Sequence, residues 1–237
     1  MTEEPYRWLE AISNRREYIR DQLKGGTPVF AVSRKEGILL LGVGQGQSKV
    51  FEIYDRHALA ALGHPVDIEK LRQAAIEAAH LEGFNRSAGD VTLRRLISFA
   101  LSSMLKNAFE QVFAPPIIVE SIFAELGDTP EQDALVRLHY DGDHQYSSAR
   151  VVVAHRETPA EAEAAEWIGK MLKPEDPLPK VAGVCLAAWQ VLNDAKTFQG
   201  LSLPAELNTR VPGKVVEAAL LDRQSTGHVH YRRLDLE

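Results

Sequence analysis

Apolar residues recur at helical spacing near the start of the chain. Trp8, Leu9, Ile12, Ile19 and Leu23 fall near one stripe, while Arg15, Arg16, Arg20 and Lys24 leave a basic face. This predicts an amphipathic helix over 5–24, ended by Gly25-Gly26. It reads either as a surface helix with a solvated charged side or as a helix that packs on a neighbouring subunit. Four short runs rich in Val, Ile, Leu and Phe follow at 29–33, 38–43, 49–54 and 57–62, punctuated by glycines and charges that suit hairpins. Helical spacing returns at 66–82, closed by Gly83, and again from an expected N-cap at Asp90 to Phe113, where Pro115-Pro116 forces a stop.

Strands are expected at 117–126, 135–140 and 150–154, the last two flanking the turn Asp141-Gly142. Thr158-Pro159-Ala160-Glu161 reads as a capping box opening a helix to about Leu172, and a further apolar helix follows Pro174, Pro177 and Pro179. Strands near 215–221 and 228–234 finish the chain, and 198–212 reads as an irregular insertion. Blocks of strands alternating with pairs of helices do not make the βαβ alternation of a doubly wound sheet. They suit an α+β, four-layer αββα sandwich of two antiparallel sheets between helix layers, with an extra N-terminal helix. Nothing between them is long and polar enough to be an interdomain linker, so 1–237 is expected to form a single domain.

Composition narrows the function. The 237 residues carry a net charge of −6, so the basic excess that nucleic acid demands is missing. Apolar runs fall short of the roughly 18 residues of a membrane span, and the acidic start is not a secretory signal, so a cytoplasmic protein is expected. The lone Cys185, set among Val181, Val184 and Leu186, reads as a buried small hydrophobe. Gly42-Val43-Gly44-Gln45-Gly46 follows an apolar strand, but its third glycine is misplaced for dinucleotide binding. Phosphate-loop, serine-hydrolase and zincin motifs are missing, and no cofactor is implied. His228 and His230 could share a strand face as metal ligands; a partly exposed terminal strand accounts for them without one.

Three stretches taken together resemble the proteasome core-particle family, of the Ntn-hydrolase fold, and in particular its bacterial α-type subunits. They are Lys49-Val50-Phe51-Glu52-Ile53-Tyr54-Asp55-Arg56 with 57–62 and Gly63; the helix around Leu71-Arg72 with Gly83-Phe84, Arg86 and Asp90-Val91-Thr92; and Tyr140-Asp141-Gly142. The resemblance implies the same αββα sandwich.

Two roles exist in that family. Catalytic β-type subunits cleave peptides with an N-terminal threonine tuned by a lysine and an aspartate. Gly26-Thr27-Pro28 stands where a processing junction would, which makes Thr27 the nucleophile under the alternative of a self-compartmentalised threonine peptidase. The aspartate position, however, falls on Val43, and 43–49 is short for a substrate-lining segment. The resemblance therefore implies a non-catalytic α-type subunit with no catalytic residue and no metal. Such a subunit would form a homo-oligomeric, heptameric ring on β-type subunits. Its Lys49 would receive the C-terminal carboxylate of a regulatory AAA ATPase, and Thr2, Glu3, Glu4, Pro5 and Tyr6 would gate substrate access. An orphan ring-forming scaffold is a further alternative.

Overall fold

Residues 29–32 and 37–44 carry no polar side chain, and the reason lies in where their strands sit. In the computed structural model, which describes residues 4–155, 158–173, 175–204 and 206–236, β1 (Val29–Ser33) and β2 (Gly37–Gly44) are central strands buried on both faces. The two-residue period of a strand divides them between two cores. Phe30, Val32, Leu39, Leu41 and Val43 face a helix layer, whereas Val29, Ala31, Ile38 and Leu40 face a second sheet.

The remaining strands are β3 (Val50–Tyr54), β4 (His57–Gly63), β5 (Val119–Glu125), β6 (Ala134–His139), β7 (His144–Ser147), β8 (Val151–Ala154), β9 (Val215–Asp222) and β10 (Tyr231–Leu234). One sheet runs β10-β9-β2-β1-β8 and the other β3-β4-β5-β6-β7, with every pairing antiparallel. α5 (Thr158–Met171) and α6 (Leu178–Asn193) cover the first sheet through Trp167, Ile168, Val184, Cys185 and Trp189. α2 (Pro65–Asn85) covers the second, together with a continuous helix made of α3 (Leu93–Arg95), a π-helical segment (Leu96–Leu101) and α4 (Ser102–Glu110). The result is the expected αββα sandwich.

α1 (Glu4–Leu23) lies outside the four layers, and only its second half behaves as the expected stripe. Ile19 and Leu23 enter the core between the sheets, and Arg15 donates to the carbonyls of Ala108 and Ala114 at the far end of α4. A side-chain cation on the last carbonyls of a helix satisfies acceptors that have no partner within the helix. Trp8 and Leu9, by contrast, are 48% and 65% exposed.

Several local expectations are corrected. Thr92, not Asp90, is the N-cap of the long helix: its hydroxyl accepts from the Arg95 amide, while Asp90 accepts from Ser87 in a preceding 3-10 turn. The helix ends at Glu110, short of Phe113. The strand that pairs across Asp141-Gly142 is the polar β7, and 150–154 leaves that sheet to pair with β1 as β8. Gly142 adopts φ +82°, and its backbone lies against the long helix, accepting from the Ser102 hydroxyl at 2.6 Å. The capping box expected at Thr158 involves a side chain outside the described residues; the Glu161 carboxylate binds Arg137 and the His155 amide. His228 and His230 precede β10, and the His230 ring sits on the Asp222 carbonyl rather than pairing with His228.

Candidate functional site

Lys49 is the residue that the fold treats most unusually. It stands where the 45–48 loop becomes β3, and its side chain, half-buried, folds inward rather than out to solvent. Two glycines make that path. Gly42 and Gly44 sit two apart on one face of β2, and a Cβ at Gly42 would lie 3.0 Å from the Lys49 Cβ and 3.3 Å from its Cδ. At Gly44 it would lie 3.5 Å from Cε. The glycines that resembled a nucleotide loop are a flat seat for the lysine stem.

At the end of that seat the Lys49 Nζ donates to the Thr27 Oγ1 at 2.6 Å and to the Thr27 carbonyl at 3.1 Å. The Thr27 hydroxyl in turn donates to the Val43 carbonyl. On the backbone side, the Glu217 carboxylate of β9 accepts from the Lys49 amide at 2.5 Å and the Val50 amide at 3.2 Å. Burial pushes the Lys49 ammonium down to about pKa 8; Glu217 opposes that shift and Lys214 adds to it. An ammonium has three protons and two are engaged, so one donor remains for a ligand acceptor.

Thr27 and Lys49, singled out separately in the sequence, are thus brought together, while Glu217 carried no signal there. The geometry does not make Thr27 a nucleophile. Its hydroxyl proton goes to a backbone carbonyl, which cannot act as a base, and no carboxylate stands at Val43 to orient the lysine. Its own amide nitrogen follows a chain anchored by Ile19, Leu23 and Gly26, where a Cβ would meet the Leu62 Cδ1 at 2.7 Å. Of the expected gate, Thr2 and Glu3 lie outside the described residues, whereas Glu4, Pro5 and Tyr6 belong to the first turn of α1 rather than to an extended chain.

A second charged centre lies toward the opposite flank. Arg137 of β6 reaches Glu120 of β5 at 3.3 Å, Glu161 of α5 and the His155 carbonyl, and His139 stands 2.9 Å from Glu120. Elsewhere Cys185 is fully buried, and burial pushes its thiol up to about 12. Among the described residues no helix is long and apolar enough to cross a membrane, and no group of three His, Cys, Asp or Glu could hold a metal.

Two stacked antiparallel sheets between helix layers, with a threonine and a lysine facing each other at one end and an added helix upstream of that threonine, define a proteasome-type subunit without a working centre. No family model matches the chain. It is 31% identical over 228 residues to the proteasome subunit alpha of Jonesia denitrificans, covering 95% of this chain and 90% of that protein. Against the protein of the same name from Paenarthrobacter aurescens it is 30% identical over 227 residues, 94% of this chain and 88% of the relative. Against that of Actinosynnema mirum it is 36% identical over 135 residues, where 56% of this chain spans about half, 51%, of the relative. The chain belongs to the family of proteasome α subunits. It is accordingly a non-catalytic subunit of a threonine-type protease complex.

Proposed function

We propose that this chain forms a homo-oligomeric, heptameric outer ring on a ring of β-type subunits, gates substrate access with its first residues and docks a regulatory AAA ATPase at Lys49. The observation that carries the docking is the Lys49 ammonium: desolvated, held by two neutral oxygens, and left with one free donor. A carboxylate brought to such a site gains a charge-assisted hydrogen bond where water competes poorly. Trp8 and Leu9, exposed on the free half of α1, supply apolar surface for a neighbour in the ring.

The gate follows from converging copies. Several short N-termini meeting at a ring axis need few contacts to occlude an opening. A tail carboxylate on Lys49 would favour the open arrangement only by binding it more tightly than the closed one. The test uses complete core particles. Deleting residues 2–6 raises peptide hydrolysis without any ATPase; Lys49→Ala abolishes stimulation by a tail peptide and spares basal hydrolysis; the combination behaves like the deletion. A normal tail response from Lys49→Ala overturns the docking site.

A further inference from the structure

Glu217 lies on β9 opposite Gly42, in the sheet that does not contain β3, yet its carboxylate accepts from the first two amides of the β3 segment. That contact fixes the direction in which Lys49 leaves the backbone, because the amides of Lys49 and Val50 are held on one side and the stem must lie along Gly42 and Gly44 on the other. A carboxylate taking two amide protons is a strong, directional clamp. β3 itself begins its pairing only at Val50, with Ala60, so Lys49 has no ladder partner that would hold it instead, beyond its own carbonyl, which accepts from Ala61.

We propose that Glu217 is the positioning residue of the Lys49 pocket: by clamping the Lys49 and Val50 amides across the gap between the sheets, it holds the ammonium on Thr27 with one donor turned to an incoming carboxylate. That the occupant is a tail carboxylate rests on the reading above; the positioning does not. Among the described residues, the charged groups that act on Lys49 are Glu217 and Lys214, which stands ahead of β9. The segment entering β1 brings Thr27 and β2 brings Gly42, Val43 and Gly44, none of them titratable in water. Glu217 therefore also supplies the negative charge that favours the protonated, carboxylate-binding form, against burial and Lys214.

The experiment follows the Lys49 side-chain resonance of the full chain through a pH titration, together with backbone amide exchange. Glu217→Gln keeps a neutral acceptor and removes the charge, so the Lys49 midpoint falls by about half a pH unit or more. Lys214→Ala moves the midpoint the other way. Glu217→Ala, in addition, speeds exchange of the Lys49 and Val50 amides about tenfold while the amides of β4 and β5 keep their protection. A purely structural role would loosen exchange across the sheet and leave the Gln midpoint in place. An unmoved midpoint in Glu217→Gln, or unchanged Lys49 and Val50 exchange in Glu217→Ala, overturns the proposal. If both respond as expected and Lys49→Ala particles still answer a tail peptide, the positioning stands and the docking reading falls.

Discussion

Arg137 and Lys49 are both cations drawn into the sandwich, and they are treated in opposite ways. Arg137 meets two carboxylates, Glu120 and Glu161, and a backbone carbonyl, with elements β5, β6, α5 and the β8–α5 corner all contributing. Its terminal nitrogens reach both carboxylates, so the guanidinium charge is neutralised within the fold although its Nε is left without a partner. Lys49 meets only the neutral oxygens of one residue, Thr27, and its nearest carboxylate is spent on backbone amides rather than on the ammonium. A buried cation neutralised by carboxylates joins parts of a fold; one held only by neutral oxygens keeps its charge for a ligand. The contrast separates structure from function without reference to relatives.

The sharpest way to break that contrast is at Arg137. Arg137→Leu strips the guanidinium from Glu120 and Glu161, leaving them only His139 and the His155 amide, and breaking a buried ion pair in this way costs about 3–5 kcal/mol. Urea unfolding of the variant should show it as a fall in midpoint at unchanged slope. A loss under about 1 kcal/mol would mean that the cluster is solvated and no more structural than an exposed ion pair.

How much is legible in the sequence differs between the two centres. The buried strands announce themselves through continuous Val, Ile and Leu, because central strands covered on both faces leave no room for polar alternation. β7, His-Gln-Tyr-Ser, does not: an edge strand with one face in water carries loop-like residues, so the apolar run of β8 is the stronger candidate for its place. Asp90 and Thr92 are both good N-caps, and only the packing of Val91 and Leu93 into the core decides for Thr92. Lys49, Thr27 and Val43 can be found by their spacing along a familiar pattern. Glu217 cannot, since its amide partners are 168 and 167 residues away and a lone glutamate in a strand has no local signature. Gly42 and Gly44 do carry a signal, two glycines on one strand face, whose meaning depends on which side chain lies across them.

Lys49 itself offers the next test, of intermediate size and opposite sign. Its folded pKa, about 8, is lower than the ordinary lysine value of 10.5, so the unfolded chain binds more protons between those values and stability from this group rises with pH there. Below pH 8 the buried charge is a standing cost. Lys49→Met keeps the stem and removes the charge. The variant is therefore expected to match or exceed the parent in stability at pH 7, and that advantage should shrink as pH climbs from 8 toward 10. Thermal unfolding across this range reads it directly, while tail-peptide stimulation is lost at every pH. A variant clearly less stable at pH 7 would place Lys49 with Arg137 as a structural cation.

The smallest effect belongs to Thr27, and it separates the two possible meanings of the threonine–lysine pair. Thr27→Ala removes one hydroxyl that donates to the Val43 carbonyl and accepts from Lys49, a loss of about 1 kcal/mol. The backbone carbonyl at that position survives the substitution and still holds one proton of the ammonium, so Lys49 keeps its seat on Gly42 and Gly44 and frees a second donor. Peptide hydrolysis by complete core particles should be unchanged, because the hydroxyl proton has only a carbonyl to go to and chemistry resides in the partner ring. Tail-peptide stimulation should persist with its midpoint moved less than about tenfold, an amount one hydrogen bond can supply. Thr27→Val, which keeps the volume, should behave alike. If either variant lost turnover while its ring and its tail response stayed intact, the threonine would be acting as a nucleophile and the contrast with Arg137 would have to be redrawn around a reacting centre.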